Sequence, residues 1–306
     1  MYTSRTLEIA SEQLLRLPGH VFDVISITKP VSTAAAMNLI GILSKLSPIL
    51  GNLIEFNLVE LLNEHHEFQG LGSWQRQDPG FPDAVFRGQV HPVPGLEIKS
   101  WFPLATEITA RFKDSQTRFT DRNTNLVLLA WLPEAIVYGR PKIVSVTMIE
   151  GGSVAQARDR HYHNPPDYLV VEPGDTSART RNLQQTNTSG CKWEGTLLSE
   201  FQEAEQFVQS WGNDATRYRS DSDYQSLVRQ LLSRYSYRLD TNFAKIDRIA
   251  HPDVEQFMRQ VYDVTVLGMT IGQWARVLSQ QNDRIRKEVF SRVLAITDDD
   301  ADRLVK

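Results

Sequence analysis

The spacing of hydrophobic and polar positions changes twice along the chain. Over residues 6 to 63, apolar residues recur every three or four positions, which predicts helices with a break near Pro30 and a cap at Ser32. Over residues 74 to 171, short β-branched and aromatic runs are separated by Pro, Gly and Asn, which predicts strands. After Gly195 the helical spacing returns.

Five runs in the middle region are predicted to be strands: DAVF, GLEIKSWF, NLVLLAWL, KIVSVTMI and DYLVVE. Four amphipathic helical stretches are predicted after residue 195: LLSEFQEAEQFVQSW, DYQSLVRQLLSRYSYRL, DVEQFMRQVYDV and IGQWARVLSQQNDRIRKEVFSRVL. We therefore expect an α/β (α+β) fold with a mixed sheet of five strands flanked by helices.

The same pattern predicts three regions in chain order. Residues 1–50 form an N-terminal helical region, residues 51–195 form the core, and residues 196–306 form a C-terminal helical region. Within the core, residues 174–190 are polar and rich in long hydrogen-bonding side chains, which predicts an exposed excursion.

Composition narrows the choice of partners. The net charge of −4 argues against a uniformly basic surface, so any contact with nucleic acid would need a local basic groove. The single cysteine, Cys191, is typical of a reducing compartment. The apolar stretch from residue 34 to residue 56 is interrupted by Lys45 and Pro48, and the N-terminus shows no signal-peptide core. We expect a cytoplasmic protein without a membrane span.

Three charged residues stand out on the predicted strands. Glu97 and Lys99 are two positions apart on one strand, so their side chains share a face at a separation of about 7 Å. A turn before that strand would bring Asp83, at the start of DAVF, beside Glu97. Two converging carboxylates suit Mg²⁺, and an adjacent ammonium could orient or deprotonate an attacking water. The alternative is that Asp83 and Glu97 have a purely structural role and form ion pairs with Lys99 or with an arginine such as Arg87.

In Pro82-Asp83 and Glu97-Ile98-Lys99 the sequence resembles the PD-(D/E)xK nuclease superfamily over about residues 50 to 172. The resemblance implies a mixed sheet with flanking helices and a first core helix that adds another acid. GNLIEFNLVELLNEHHEF precedes the motif as such a helix should. Glu55 lies on its apolar stripe, whereas Glu60 lies on its polar face, so Glu55 is the expected third carboxylate.

By this resemblance, the chain is expected to be a type II restriction endonuclease that acts on double-stranded DNA. Asp83 and Glu97 would hold Mg²⁺, Lys99 would orient or activate water, and Glu55 would assist. A homodimer and a cognate DNA methyltransferase as genetic partner are implied as well. Open alternatives are a monomeric repair-type nicking endonuclease, a catalytically inactive DNA-binding module, and a protein unrelated to nucleic acid.

Two polar segments are candidates for DNA contact. One supplies side chains able to pair with purine edges in the major groove: Arg179, Arg181, Asn182, Gln184 and Gln185. Its alternative is an exposed loop without a ligand. Arg158 and Arg160 could extend its basic surface. The other segment could contact the DNA backbone through Arg111, Lys113, Arg118 and Arg122. His161 and His163 are expected in a solvated or phosphate-contacting turn, and the C-terminal helices are expected to mediate dimerisation or to clasp DNA.

Overall fold

A computed structural model covers the 306-residue chain. The residues that it describes are 2–77, 80–104, 106, 108, 116, 119, 123–163, 169–172, 189–193, 197–213, 215, 221–235, 237–239, 246–279 and 283–296. The chain divides into two compact units. Unit 1 comprises residues 1–108, 117–154 and 251–306, and unit 2 comprises residues 109–116 and 155–250.

Two helices open unit 1: α1 (Thr3–Leu14) and α2 (Thr33–Asn63). The Ser32 side chain accepts a hydrogen bond from the backbone N–H of Ala35 at 3.1 Å, which confirms the predicted cap. Helix α2 is continuous through residue 50, so the expected border between the N-terminal region and the core falls inside a helix.

A five-stranded sheet forms the centre of unit 1. Its strands lie side by side in chain order, and only β3 and β4 are parallel. They are β1 (Gly72–Arg76), β2 (Ala84–Gly88), β3 (Gly95–Trp101), β4 (Thr124–Pro133) and β5 (Pro141–Glu150).

Helices pack on this sheet and complete unit 1. Helix α2 contacts β1 and β3, and the helix that follows residue 251 contacts β5. The expected mixed α/β architecture with a five-stranded sheet and flanking helices is thereby confirmed. The C-terminal elements of the unit are α6 (Pro252–Asp263), the short strands β9 (Thr265–Val266) and β10 (Met269–Thr270), α7 (Ile271–Ser279) and α8 (Asp283–Leu294).

The membership of the sheet differs from the prediction at both ends. Strand β1 was not predicted, because GSWQR is short and carries little apolar content. The run DYLVVE forms β6 (Leu169–Glu172) in a separate three-stranded sheet with β7 (Ser189–Trp193) and β8 (Tyr237–Leu239). Pairing between distant segments decides which sheet a strand joins, and local patterning does not encode it.

Unit 2 contains α4 (Leu198–Gln209) and α5 (Ser222–Arg234), whose core includes Ala204, Val208, Tyr224 and Leu231. Helix α3 (Gly151–His163) runs from unit 1 into unit 2 and was not predicted, since it begins with two glycines and has no apolar stripe. His161 and His163 therefore lie in a helix, not in a turn. The predicted helix over residues 223–239 ends at Arg234, and the last predicted stretch is two helices, α7 and α8. Single 3₁₀ turns span His66–Phe68 and Ile246–Arg248.

Helix α2 is the one helix among the described residues that is long and apolar enough to cross a membrane by length and composition. Core helices of soluble proteins pass the same test. One face of α2 packs within unit 1 through Leu43, Leu50, Ile54 and Leu58, which are buried.

Candidate active site

Strands β2 and β3 separate at one point, and the charged residues of the motif gather there. The registered pairs between the two strands are Val85–Gly95 and Ala84–Leu96. Asp83 comes directly before β2, so the same register would place it opposite Glu97. We call this place, with Asp83 on one side and residues 97–99 on the other, the strand fork.

The Asp83 carboxylate is fixed at the fork by the backbone of β3. Its Oδ2 accepts a hydrogen bond from the Ile98 N–H at 2.7 Å. This side chain takes the place of a backbone acceptor at the point where strand pairing ends. The geometry gives Asp83 a defined position, as a ligand-binding group requires.

Lys99 bridges the two carboxylates of the motif. Its Nζ lies 2.5 Å from Glu97 Oε1 and 3.3 Å from Asp83 Oδ2. The same ammonium donates a hydrogen bond to the Ile98 carbonyl at 3.2 Å. The structure thus brings together Asp83, Glu97 and Lys99 at the distances of direct ion pairs.

Glu97 carries an unsatisfied buried oxygen. Its side chain is 5% exposed, and within the described part of the chain its Oε2 finds no hydrogen-bond partner. Burial raises the pKa of Glu97, the Asp83 carboxylate adds to the rise, and Lys99 opposes it. A buried carboxylate oxygen without a donor is costly, so this atom is suited to receive a cation.

The charge state of Lys99 follows from the same contacts. Burial by itself lowers the pKa of Lys99, but the carboxylates of Glu97 and Asp83 outweigh burial, and the pKa is raised. Lys99 is therefore an ammonium at neutral pH. In this arrangement it can orient a ligand or offset negative charge, but it cannot accept a proton.

Glu55 joins the cluster from helix α2. As expected from the apolar stripe, Leu58 and Val59 are buried while Glu60 is exposed. Burial raises the pKa of Glu55 to about 7, and Asp83 adds to the rise while Lys99 opposes it. The Glu55 carboxylate is thus electrostatically coupled to the strand fork and titrates near neutral pH.

Sequence reasoning missed one charged neighbour, Arg76 at the end of β1. Its Nη2 lies 3.9 Å from Glu55 Oε2, and its charge opposes the rise in the pKa of that carboxyl. Because β1 was not predicted, nothing placed Arg76 near α2. Trp74 and Arg76 lie two positions apart, the spacing that puts both side chains on one face of a strand, and this was a local signal for β1.

The donor set at the fork fits a hard cation that keeps part of its water shell. Mg²⁺ takes one or two carboxylates and completes its octahedron with water and substrate phosphate. Asp83 and Glu97 supply two carboxylates, and Glu97 Oε2 is unengaged by any described donor. Within the described ranges, no group of three or more His, Cys, Asp or Glu side chains could hold a metal ion. With two carboxylates, the fork would leave most coordination positions of such an ion to water and substrate.

The expected DNA-contacting residues cannot be placed against the fork. They lie outside the described residues: Arg111, Lys113, Arg118, Arg122, Arg179, Arg181, Asn182, Gln184 and Gln185. Arg160 is exposed. Arg158 is only 2% exposed and lies 3.2 Å from Asp159, so it does not form part of a basic surface as expected.

Protein-family models, curated proteins and solved structures were compared with the chain, and none matches it.

Proposed function

We propose that the chain is a Mg²⁺-dependent type II restriction endonuclease that hydrolyses phosphodiester bonds of double-stranded DNA at specific sequences. One observation carries the proposal: Asp83, Glu97 and Lys99 converge at the strand fork and leave Glu97 Oε2 without a described donor. A structural ion-pair network would satisfy its buried oxygens. A site that binds a cation and a phosphate keeps a carboxylate oxygen without a protein donor, so that the oxygen can contact the cation.

The fold agrees with this proposal at a general level. The five-stranded mixed sheet with flanking helices is the kind of core that the resemblance to the PD-(D/E)xK nucleases implies. The helix before the motif contributes Glu55, the additional acid that the resemblance also implies. We therefore propose a restriction-endonuclease-like core within unit 1.

The two carboxylates define where the metal would bind. Asp83 and Glu97 would hold Mg²⁺, which would supply Lewis-acid stabilisation of the charge that develops on the phosphate. The hydrogen bond from the Ile98 N–H holds the Asp83 carboxylate in place. Replacing either carboxylate is expected to abolish binding of the metal at the fork.

Lys99 and Glu55 would divide the remaining chemistry between them. The raised pKa of Lys99 keeps it an ammonium, so it would orient the attacking water and offset negative charge on phosphorus. Glu55, with a pKa of about 7, is suited to accept a proton from water near neutral pH. We therefore propose Glu55 as the general base. Lys99 would then orient the water without deprotonating it, which is one of the two roles first expected of it.

The partners belong to the proposal as well. We propose a cytoplasmic homodimer, since two identical sites can cut both strands of a palindrome. A DNA methyltransferase of the same specificity would be its genetic partner. The polar excursion over residues 174–190 remains the proposed source of base recognition, and the segment that carries Arg118 and Arg122 remains the proposed source of backbone contacts.

The test is cleavage of unmethylated phage DNA by the purified chain with Mg²⁺, with EDTA as control. We expect discrete fragments from the wild type and a loss of roughly 10²–10³-fold in rate for Lys99→Ala, as for removal of one preorganised charge in a site. Lys142→Ala, an exposed lysine on β5, is the matched control and should cut normally.

Any other result of this test would contradict the proposal and favour one of the alternatives. Nicked but uncut duplex would indicate the repair-type nicking endonuclease. DNA binding without metal-dependent cleavage would indicate an inactive binding module. If the chain neither binds nor cleaves DNA, it is a protein unrelated to nucleic acid. If Lys99→Ala cleaves as fast as the wild type, the strand fork is not the active site.

A further inference from the structure

Helix α2 exposes an apolar stripe on the side away from its buried residues. Ile42, Ile49, Leu53 and Phe56 are 49%, 61%, 37% and 49% exposed. They are spaced by seven, four and three positions, so they lie on one face of the helix. Contiguous apolar surface of this kind marks an interaction site more often than scattered single residues do.

Opposite charges bound the same face. Lys45 and Glu60 are both exposed, and helical spacing places them in line with Ile49, Leu53 and Phe56. Along the helix the order is cation, three apolar side chains, anion. We call these five residues the α2 stripe, and its length is about 22 Å at 1.5 Å per residue.

The α2 stripe is complementary to a reversed copy of itself. When two such helices are placed antiparallel about a two-fold axis between Asn52 and Leu53, Lys45 of each faces Glu60 of the other. The same operation sets Ile49 opposite Phe56. Both charge pairs and the apolar contacts thus form at once, as an isologous interface requires.

We infer that a second copy of this chain docks on the α2 stripe, helix against antiparallel helix. The opposite charges at the two ends of the stripe favour this occupant, because a reversed copy pairs both of them at once. The buried side of α2 contacts β1 and β3, so lipid could not surround the helix without removing it from the sheet. The inference uses neither DNA nor metal.

A charge swap is the direct test. Sedimentation of the wild type over a dilution series should show a dimer of twice 34.9 kDa. Lys45→Glu and Glu60→Lys each place like charges opposite each other at both ends of the interface. We expect each to raise the dimer dissociation constant by about tenfold, since two surface pairs are reversed. The double variant recreates both pairs in the opposite sense and should restore dimerisation.

Cross-linking tests the position of the axis. In a Cys191→Ser background, Leu53→Cys lies next to the proposed axis and should form a disulfide-linked dimer under mild oxidation. Ala34→Cys is exposed on the same helix but far from the axis, so it is the matched control and should stay uncross-linked.

The outcomes separate the inference from its rivals and from the nuclease proposal. A monomeric wild type at all concentrations would overturn it, and so would a double charge variant weaker than both singles. Flotation of the chain with lipid vesicles would overturn it in favour of a membrane surface. All of these experiments are made without DNA. Their results therefore test the dimer interface independently of the nuclease proposal.

Discussion

Each unit of the chain buries a cluster of charges, and the two clusters are satisfied to different degrees. In unit 2, Asp159 uses both oxygens: Oδ1 contacts Arg158 at 3.2 Å, and Oδ2 accepts from the backbone N–H of Gln116 at 2.9 Å. In unit 1, the strand fork holds Asp83 and Glu97 against one bridging lysine, and Glu97 Oε2 has no described donor.

The difference indicates what each cluster is for. Asp159 ties helix α3 to Gln116, and both of its oxygens have described donors, which is typical of a structural network. The fork concentrates like charges, raises the pKa values of two carboxyl groups and keeps a buried oxygen free, which is typical of a functional site.

The largest expected effect separates the clusters by stability. Asp159→Asn removes the carboxylate beside the buried Arg158 guanidinium and should lower the free energy of unfolding by about 3–5 kcal/mol. Glu97→Gln removes a buried charge whose pKa is raised, so it should leave stability unchanged or increase it while cleavage is lost. Urea denaturation of both variants measures this. If Glu97→Gln were destabilised as much as Asp159→Asn, the strand fork would be a structural network as well.

A smaller effect should appear in the pH dependence of stability. Glu55 has an ordinary pKa of 4.5 when unfolded and about 7 when folded, so the folded chain binds this proton more tightly. The contribution of Glu55 to wild-type stability should therefore fall as the pH rises from about 4.5 to about 7. At pH 8, Glu55→Gln should be more stable than the wild type by at most about 3.5 kcal/mol, since one pKa unit is worth about 1.4 kcal/mol.

Denaturation of the wild type and Glu55→Gln at pH 4 and pH 8 checks this prediction. The two chains should be equally stable at pH 4, where Glu55 is protonated in both states. A constant difference at both pH values would show that packing, not titration, separates them.

The smallest expected effect is stabilisation by the metal. At a Mg²⁺ concentration ten times the dissociation constant, the wild type should gain roughly 1.4 kcal/mol. Asp159→Asn should gain as much, because its cluster has no free oxygen for a cation. Asp83→Asn should gain nothing. Thermal unfolding with and without Mg²⁺ gives the comparison, and a gain in Asp83→Asn would place the metal elsewhere.

Local pattern predicted the parts of the site that lie close together in sequence. Period-two spacing placed Glu97 and Lys99 on one strand, a short turn returned Asp83 to them, and period-3.6 spacing put Glu55 on the buried side of α2. Each is a feature of a single segment, whereas the expectation that Glu55 joins the other three groups came from the resemblance. The structure brings these groups together.

Features that depend on distant pairing could not be predicted in this way. The sequence gives no local sign that GSWQR joins the sheet as β1, and so Arg76 was missed. DYLVVE has the composition of a core strand, yet its pairing with β7 places it in another sheet. The protonation of Lys99 needed the three-dimensional balance between burial and two carboxylates.

The hydrogen bond from Ile98 to Asp83 has a consequence for large-scale mutagenesis. Because this one carboxylate both ends the pairing of two strands and faces the lysine, alanine at position 83 would lower protein abundance as well as activity. A screen that scores abundance would then assign position 83 a structural role and would not detect its proposed role in catalysis. Asparagine keeps an oxygen acceptor for the backbone while removing the charge, so the contrast between Asn and Ala at this codon separates the two roles.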